Sequence, residues 1–513
     1  MSRHSDSQTE QPANVLVICS DQHHPGIVGY RQHPNVKTPN LDRLAESGTY
    51  FTRAYTNCAV CGPSRMSFMT GKYVHQIESW TIGVALPKEE KQKTWAARLG
   101  QNGIPSSCIG KIDSAGFEEN HNPGFTHFDE LLHRAAFNPY PRVTPFNKRL
   151  PGYTRPTSRQ FLLKAGGGSI DKIEGNQECG FYGHDRTVTD KTLSYLREKG
   201  QSDQESPWCL YVGFLYPHWP YRVPQKYFDM YYPDQITMPH DACFPNDHIP
   251  PAMQEWQATN AFGEVTKDML RRTISAYYGM ITCMDDMIGE ILDELEQQGL
   301  DGNTYVIYTS DHGESMGEHG QFFKHSAYEA SVGIPLAMRG PGIPAGHVID
   351  QTPVSLIDLY PTILDMVGLD PEPDLPGSSW LPLVRGEEHN RSDSVFAEWH
   401  GPAFRGAYYM LVRGDYKYIW YEFHPPSLYN LAEDPMEDHD LASDPDQADR
   451  LETFEQELCE ILDPKATAMR AKKDLGLITE DGTDMTDSLV PWPGFTDGTI
   501  QKHQQFEREH RRT

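Results

Sequence analysis

Short apolar runs bounded by polar turns alternate with amphipathic stretches along most of this 513-residue chain. Asn14-Val-Leu-Val-Ile-Cys-Ser20 is continuously apolar and rich in β-branched residues, the pattern of a strand covered on both faces of a parallel sheet. Trp208–Leu215 and Thr304–Thr309 carry the same pattern. Between those two, Leu270, Ile274, Tyr277, Ile281, Met284, Ile288, Ile291 and Leu295 recur at helical spacing from Asp268 to Gln298 and stop at Gly299. This predicts a long scaffold helix that includes Asp285 and Asp286. Pro39–Gly48 predicts a helix capped by Asn40, and residues 93–102, 355–367 and 449–463 predict three more. Val395–Trp399, Tyr408–Arg413 and Tyr416–Tyr421 alternate like strands of a smaller antiparallel sheet. The order predicts an α/β fold: a large, mostly parallel sheet sandwiched by helices, then a smaller C-terminal α+β domain.

The same pattern divides the chain. Residues 1–13 are a polar tail, 14–376 a main domain, 377–463 an antiparallel-sheet subdomain and 464–513 a charged extension with isolated aromatics. Gly368–Gly377, rich in proline and acid, marks the boundary. Residues 114–205 lack clear periodicity and read as loop insertion around a cleft, the region that sets substrate choice. The extension is expected to wrap the domain or to pack against a second subunit in a homo-oligomer. No fixed period repeats.

Charge and cysteine usage narrow the function. A net charge of −27 argues against a nucleic-acid groove and against an anionic membrane partner. Any attraction for anions must therefore be local. The nine cysteines are scattered, with neither a disulfide framework nor paired zinc knuckles. No apolar run approaches the roughly 18 residues of a membrane span. The polar start MSRHSDSQTEQPAN lacks a signal-peptide core, so a cytoplasmic protein is expected.

The chemistry concentrates in Cys58–Tyr73. Pro63 suits the first position of a helix over Ser64–Thr70 that Gly71 closes, which sets Cys61 just before a helix N-terminus. Backbone N–H groups there favour a nucleophile or an anion. A Cys58/Cys61 redox pair is the competing reading. Asp21-Gln22 and Asp311-His312 each follow a predicted buried strand, where open α/β sheets bind ligands.

Cys61-Gly62-Pro63-Ser64-Arg65 followed by Thr70-Gly71-Lys72 resembles the signature of type I sulfatases, C-x-P-S-R and then T-G-[RK]. The resemblance implies an alkaline phosphatase-like fold and a Cys61 oxidised to formylglycine by a formylglycine-generating enzyme. The aldehyde hydrate is the nucleophile in that family. The resemblance further implies one divalent cation held by Asp21, Asp311, His312, position 61 and, less strongly, Gln22, which replaces a family acid. Oxygen-rich ligation favours Ca²⁺, with the histidine leaving Mg²⁺ or Mn²⁺ open. Arg65, Lys111 and Lys324 match the family's cationic residues, with the two lysines on the sulfate; His218 matches its acid for the leaving oxygen. Asp113 stands where a histidine is common, and implies a carboxylate that orients the hydrate or takes its proton.

That departure, with Glu78-Ser79-Trp80 and Tyr328-Glu329-Ala330-Ser331, resembles the arylsulfatase K branch, which implies removal of a uronate 2-O-sulfate. His400 and Arg405 would then pair with the uronate carboxylate; the alternative is that this segment packs the interface between the domains. The expected activity is hydrolysis of an aryl or saccharide sulfate ester. Two alternatives remain: a phosphonate monoester or phosphodiester hydrolase, and a non-catalytic carbohydrate- or anion-binding protein with unmodified Cys61.

Overall fold

The computed structural model describes residues 13–82, 84, 86–114, 122–130, 165–168, 180–202, 206–239, 249–260, 265–370, 372–400, 406–478 and 481–484. Its centre is an eight-stranded sheet. In chain order the strands are β1 (Asn14–Ser20), β2 (Thr49–Phe51), β3 (Ser106–Gly110), β4 (His127–Asp129), β5 (Cys209–Gly213), β6 (Thr304–Ser310), β7 (Leu336–Arg339) and β8 (His347–Ile349). Across the sheet they run β8-β2-β7-β6-β1-β5-β3-β4. Only β7 runs antiparallel to its neighbours. β1 sits in the middle, paired along its whole length with β6 and from Val15 to Cys19 with β5.

Every residue of β1 is buried, as its unbroken apolar run requires. Leu16 and Ile18 enter one core, while Val15, Val17 and Cys19 enter the other. The first core is covered by α1 (Pro39–Glu46) and by two helices beyond the nucleophile region. The second is covered by α2 (Cys61–Thr70) and α3 (Trp95–Gln101). The two further helices on the first face are α4 (Gly180–Gly200) and the 31-residue α5 (Lys267–Gln297). α6 (Leu359–Met366) and α7 (Trp380–Arg385) complete the second face.

Four strands, β9 (Ser394–Trp399), β10 (Tyr408–Arg413), β11 (Tyr416–Tyr421) and β12 (Ser427–Asn430), form the antiparallel C-terminal sheet in sequential order. Val395, Ala397 and Trp399 point into the first core of the main body. Phe396, Tyr409, Leu411 and Tyr418 face the opposite way, onto α8 (Ala448–Ile461) through Phe454 and Leu458. Of the C-terminal extension, α9 (Pro464–Asp474) lies against the body, where Asp474 accepts a 2.8 Å hydrogen bond from Trp80 Nε1. Residues 485–513 lie outside the described residues. Among the described residues no helix is long and apolar enough to cross a membrane.

Three local expectations change. Asn40 is not a cap; it lies inside α1, and its backbone N–H and side-chain amide donate to Asp285 Oδ2 at 3.1 and 2.9 Å. Asp285 thus ties α1 to α5 and keeps its scaffold role. α2 begins at Cys61 itself, with Pro63 in the third position; first-turn residues have no intrahelical acceptor, so a proline there loses nothing. Within 114–205, α4 was unreadable as a helix because its buried face mixes His184, Asp185, Thr189 and Thr192 with only Val188 and Leu196.

Candidate active site

The adjacent strands β6, β1, β5 and β3 all run the same way, so their carboxyl ends share one edge. That edge carries Asp311-His312, Asp21-Gln22, the loop to His218, and Lys111. Cys61 meets them from the start of α2. One donor atom each from Asp21, Cys61, Asp311 and His312 lie within 4.8 Å of one another, and all four residues are buried. Cys61 Sγ is 3.3 Å from His312 Nε2 and 3.6 Å from Asp21 Oδ1.

Each member is held from behind. His312 Nδ1 is 2.9 Å from the Gly313 carbonyl, which can only accept, so Nδ1 carries the hydrogen and Nε2 presents its lone pair to Cys61, Asp21 and Asp311. Burial pushes the imidazole down to about 3, which keeps it neutral and fit to ligate. Asp311 takes the Arg65 Nε at 2.9 Å. Burial alone would raise its carboxyl; Arg65 foremost, with Lys111 and Lys324, outweighs that and holds it well below the ordinary carboxylate range. Arg65 itself is wholly buried, donating also to the Lys111 carbonyl (2.9 Å) and Tyr211 Oη (2.7 Å). It therefore acts through Asp311 rather than on a bound anion. Ser64 fixes the same turn by donating to the Asp311 carbonyl at 2.6 Å.

The two lysines reach different members of the cluster. Lys111 Nζ bonds Asp21 Oδ2 and lies 3.8 Å from Asp113 Oδ2. Its turn packs directly on β5: a Cβ at Gly213 would come within 1.9 Å of the Lys111 carbonyl oxygen. Asp113 has φ 54, and its N–H donates to Glu130 Oε1 at 2.8 Å. Lys324 Nζ bonds Gln22 Oε1 and lies 3.7 Å from Cys61 Sγ. Its neighbours Phe323 (φ 68) and His325 (φ 91) occupy left-handed backbone, strain that clusters at functional sites. His218 follows a turn that Asp185 secures by accepting the N–H groups of Leu215 and Tyr216, both at 2.8 Å. Its Nδ1 bonds the Trp219 carbonyl, so that nitrogen too carries hydrogen.

Other predicted residues fall elsewhere. His400 Nε2 lies 2.7 Å from Glu398, and its ring is packed between Trp80 and Tyr409 in the seam between the small sheet and the body. The interface reading describes it. Glu398 also accepts from the His75 N–H at 3.0 Å. Glu329, of the Tyr328–Ser331 segment, sits in the same seam, 3.0 Å from the buried Lys417. Arg405 lies outside the described residues. Burial pushes the Cys58 thiol well above its ordinary value, which disfavours a thiolate at that position. His23, pushed down to about 4 by burial, is structural: its Nε2 lies 2.9 Å from the Ile27 carbonyl. The sequence reading missed Glu314 and Tyr211. Glu314 stood in plain view, directly after Asp311-His312-Gly313, but only the fold reveals what it holds.

Residues 13–369 match the sulfatase family, and residues 317–463 match the C-terminal region of N-sulphoglucosamine sulphohydrolase. The chain belongs to the sulfatase family. Arylsulfatase K of Canis lupus familiaris is 31% identical over 474 residues, spanning 88% of this chain and 81% of that one. Choline-sulfatase of Rhizobium meliloti is 28% identical, spanning 84% and 83%. Among solved structures, the phosphonate monoester hydrolase of Agrobacterium radiobacter superposes with a TM-score of 0.68 at 26% identity, over 92% of this chain and 99% of that one. This sulfatase is a sulfuric ester hydrolase with the alkaline phosphatase-like fold. The family implies a divalent metal and a modified cysteine. The buried Asp21, Cys61, Asp311, His312 cluster is compatible with both: two carboxylates and a neutral imidazole lone pair converge on the thiol.

Proposed function

We propose that this sulfatase removes a sulfate ester from a sugar, with a 2-O-sulfated uronate as the preferred class, using formylglycine at position 61 and one Ca²⁺. The observation that carries the reading is the convergence of Asp21, Asp311 and His312 on Cys61, with Lys111 bonded to Asp21 and Lys324 3.7 Å from the thiol. Lys111 and Lys324 place positive charge locally at this edge of the sheet, and a bound cation would offset Asp21 and Asp311 there.

Asp21, Asp311, His312 and Gln22 Oε1 would hold the cation, which when bound screens the sulfate charge and lowers the pKa of the nucleophile. The hydrated aldehyde supplies a hydroxyl to attack sulfur and a second one on the same carbon to release sulfate. The protein's own groups do the rest. Lys111 and Lys324 hold the sulfate oxygens, and Arg65 keeps Asp311 ionised and in place. His218, oriented through Nδ1 by the Trp219 carbonyl, would in its doubly protonated imidazolium form give the Nε2 proton to the departing sugar oxygen, leaving the neutral ring with Nδ1–H. Asp113, against Lys111, orients the hydrate.

The uronate preference rests on what the resemblance to the arylsulfatase K branch implies, with relatives of that name matching most of the chain, and on Asp113 in place of a family histidine. With His400 committed to Glu398, uronate recognition falls to other residues of the cleft. A second reading is favoured by one feature: the Asp-Gln and Asp-His pairs are those expected of phosphonate monoester hydrolases, and one such enzyme matches most of the chain. Turnover of an aryl sulfate against the matching aryl phosphonate monoester separates them. A higher kcat/KM for the sulfate supports the proposal, and a higher value for the phosphonate overturns it.

A further inference from the structure

Gln22 is gripped at both ends of its amide. Its Nε2 donates to Glu314 Oε2, and its Oε1 accepts from Lys324 Nζ. A carboxylate only accepts and an ammonium only donates, so the two partners fix which end is nitrogen and which is oxygen. The backbone is fixed as well: Gln22 has φ 68, its N–H donates to Asp311 Oδ1 at 3.1 Å, and its carbonyl accepts from Tyr277 Oη at 2.6 Å.

Glu314 is fully buried and receives four donors. Besides Gln22 Nε2 these are Tyr221 Oη at 2.8 Å and the backbone N–H groups of Met316 (2.9 Å) and Phe323 (2.6 Å). Met316 and Phe323 both have left-handed backbone, φ 44 and 68, in the loop that delivers Lys324. One carboxylate thus links the amide of Gln22 to the loop of the second lysine. An acid at position 22 would set two carboxylates face to face where like charges are least screened. That is the physical reason an amide stands here.

We propose that Glu314 is the positioning residue of the cation site: by accepting the Gln22 amide NH₂ it turns the carbonyl oxygen toward Lys324 and Cys61, and it keeps the second acidic charge one residue back from the cation. The inference rests on the reading of Asp21, Asp311 and His312 as the cation site.

A charge swap tests it. Ca²⁺ affinity is measured by calorimetry on the full chain for Gln22→Glu, Glu314→Gln, the double variant and Asp311→Asn. Glu314→Gln frees the amide to flip and weakens Ca²⁺ by about 10–100-fold, the usual effect of losing an outer partner of a metal ligand. Gln22→Glu also weakens it, by about tenfold or more, although it adds a charged ligand. The double variant, with the same atoms' charge moved inward, recovers most of the loss. Tighter Ca²⁺ binding by Gln22→Glu, or a double variant as weak as the two losses combined, overturns the proposal. Should Glu314→Gln fail to fold, Gln22→Glu alone decides by the direction of its change. If Asp311→Asn keeps wild-type affinity, the cation site lies elsewhere and both readings fall. If Asp311→Asn loses Ca²⁺ while Gln22→Glu gains it, the role of Glu314 alone falls.

Discussion

Arg65 Nε lies 2.9 Å from Asp311 Oδ2, and neither side chain has any exposure. Breaking a buried pair by removing one partner costs about 3–5 kcal/mol, because the other charge stays behind. Arg65→Ala should therefore lower stability by that order and release the cation, since Asp311 loses what holds it ionised. Arg65→Lys should fail nearly as badly: an ammonium cannot serve Asp311, the Lys111 carbonyl and Tyr211 at once. Denaturant unfolding with metal stoichiometry on the same samples checks both effects. A stable Arg65→Ala protein with a full complement of metal would refute the arrangement.

His218 should matter in proportion to the basicity of the leaving group. If it protonates the sugar oxygen, His218→Asn lowers kcat for a sugar sulfate by about 10²–10⁴. A nitrophenyl sulfate, whose leaving oxygen needs no proton, should be little affected. Equal losses on both substrates would assign His218 to binding instead.

The seam between the small sheet and the body carries its own pH dependence. Burial alone would raise the Glu398 carboxyl, but His75 and His400 hold it down to about 2, from an ordinary 4.5. A depressed carboxylate stabilises the fold above its unfolded value and loses that contribution as pH falls from about 4.5 toward 2. The difference is worth roughly 3 kcal/mol. Glu398→Gln should be less stable above about pH 4.5 and show a flatter decline in acid, measured by urea unfolding across the range.

The long apolar runs made β1, β5 and β6 legible, because strands covered on both faces leave no polar positions to confuse the period. The C-terminal sheet was legible for a related reason: alternation marks one face for the body and the other for α8. α4 was not, since its inward side is built from threonines that bond helix carbonyls and from Asp185, which takes two loop N–H groups and the His184 ring, rather than from an apolar stripe. At the site, residues with a family motif could be named in advance. His400 could be read two ways because a histidine beside tryptophan fits a sugar cleft and a buried ion pair equally well; its partner Glu398, two residues away, favours the interface alternative. Glu314 had no motif to announce it, as its role exists only once Gln22, Tyr221 and Phe323 converge.

Substrate choice is open to a panel of sulfated saccharides. A 2-O-sulfated uronate should give a higher kcat/KM than a neutral sugar sulfate of the same size, and a small aryl sulfate should turn over as well. No preference for the uronate would withdraw the substrate class and leave sulfate ester hydrolysis standing.

The central claim is that the side chain at position 61 acts as an aldehyde hydrate within the Asp21, Asp311, His312 cluster. Peptide mass mapping of residue 61 in enzyme purified by its sulfatase activity tests this most directly. The peptide should be lighter by the difference between a CH₂SH and a CHO group, with the converted fraction tracking specific activity from one preparation to the next. Full activity in a preparation where Cys61 is entirely an unmodified thiol would contradict it.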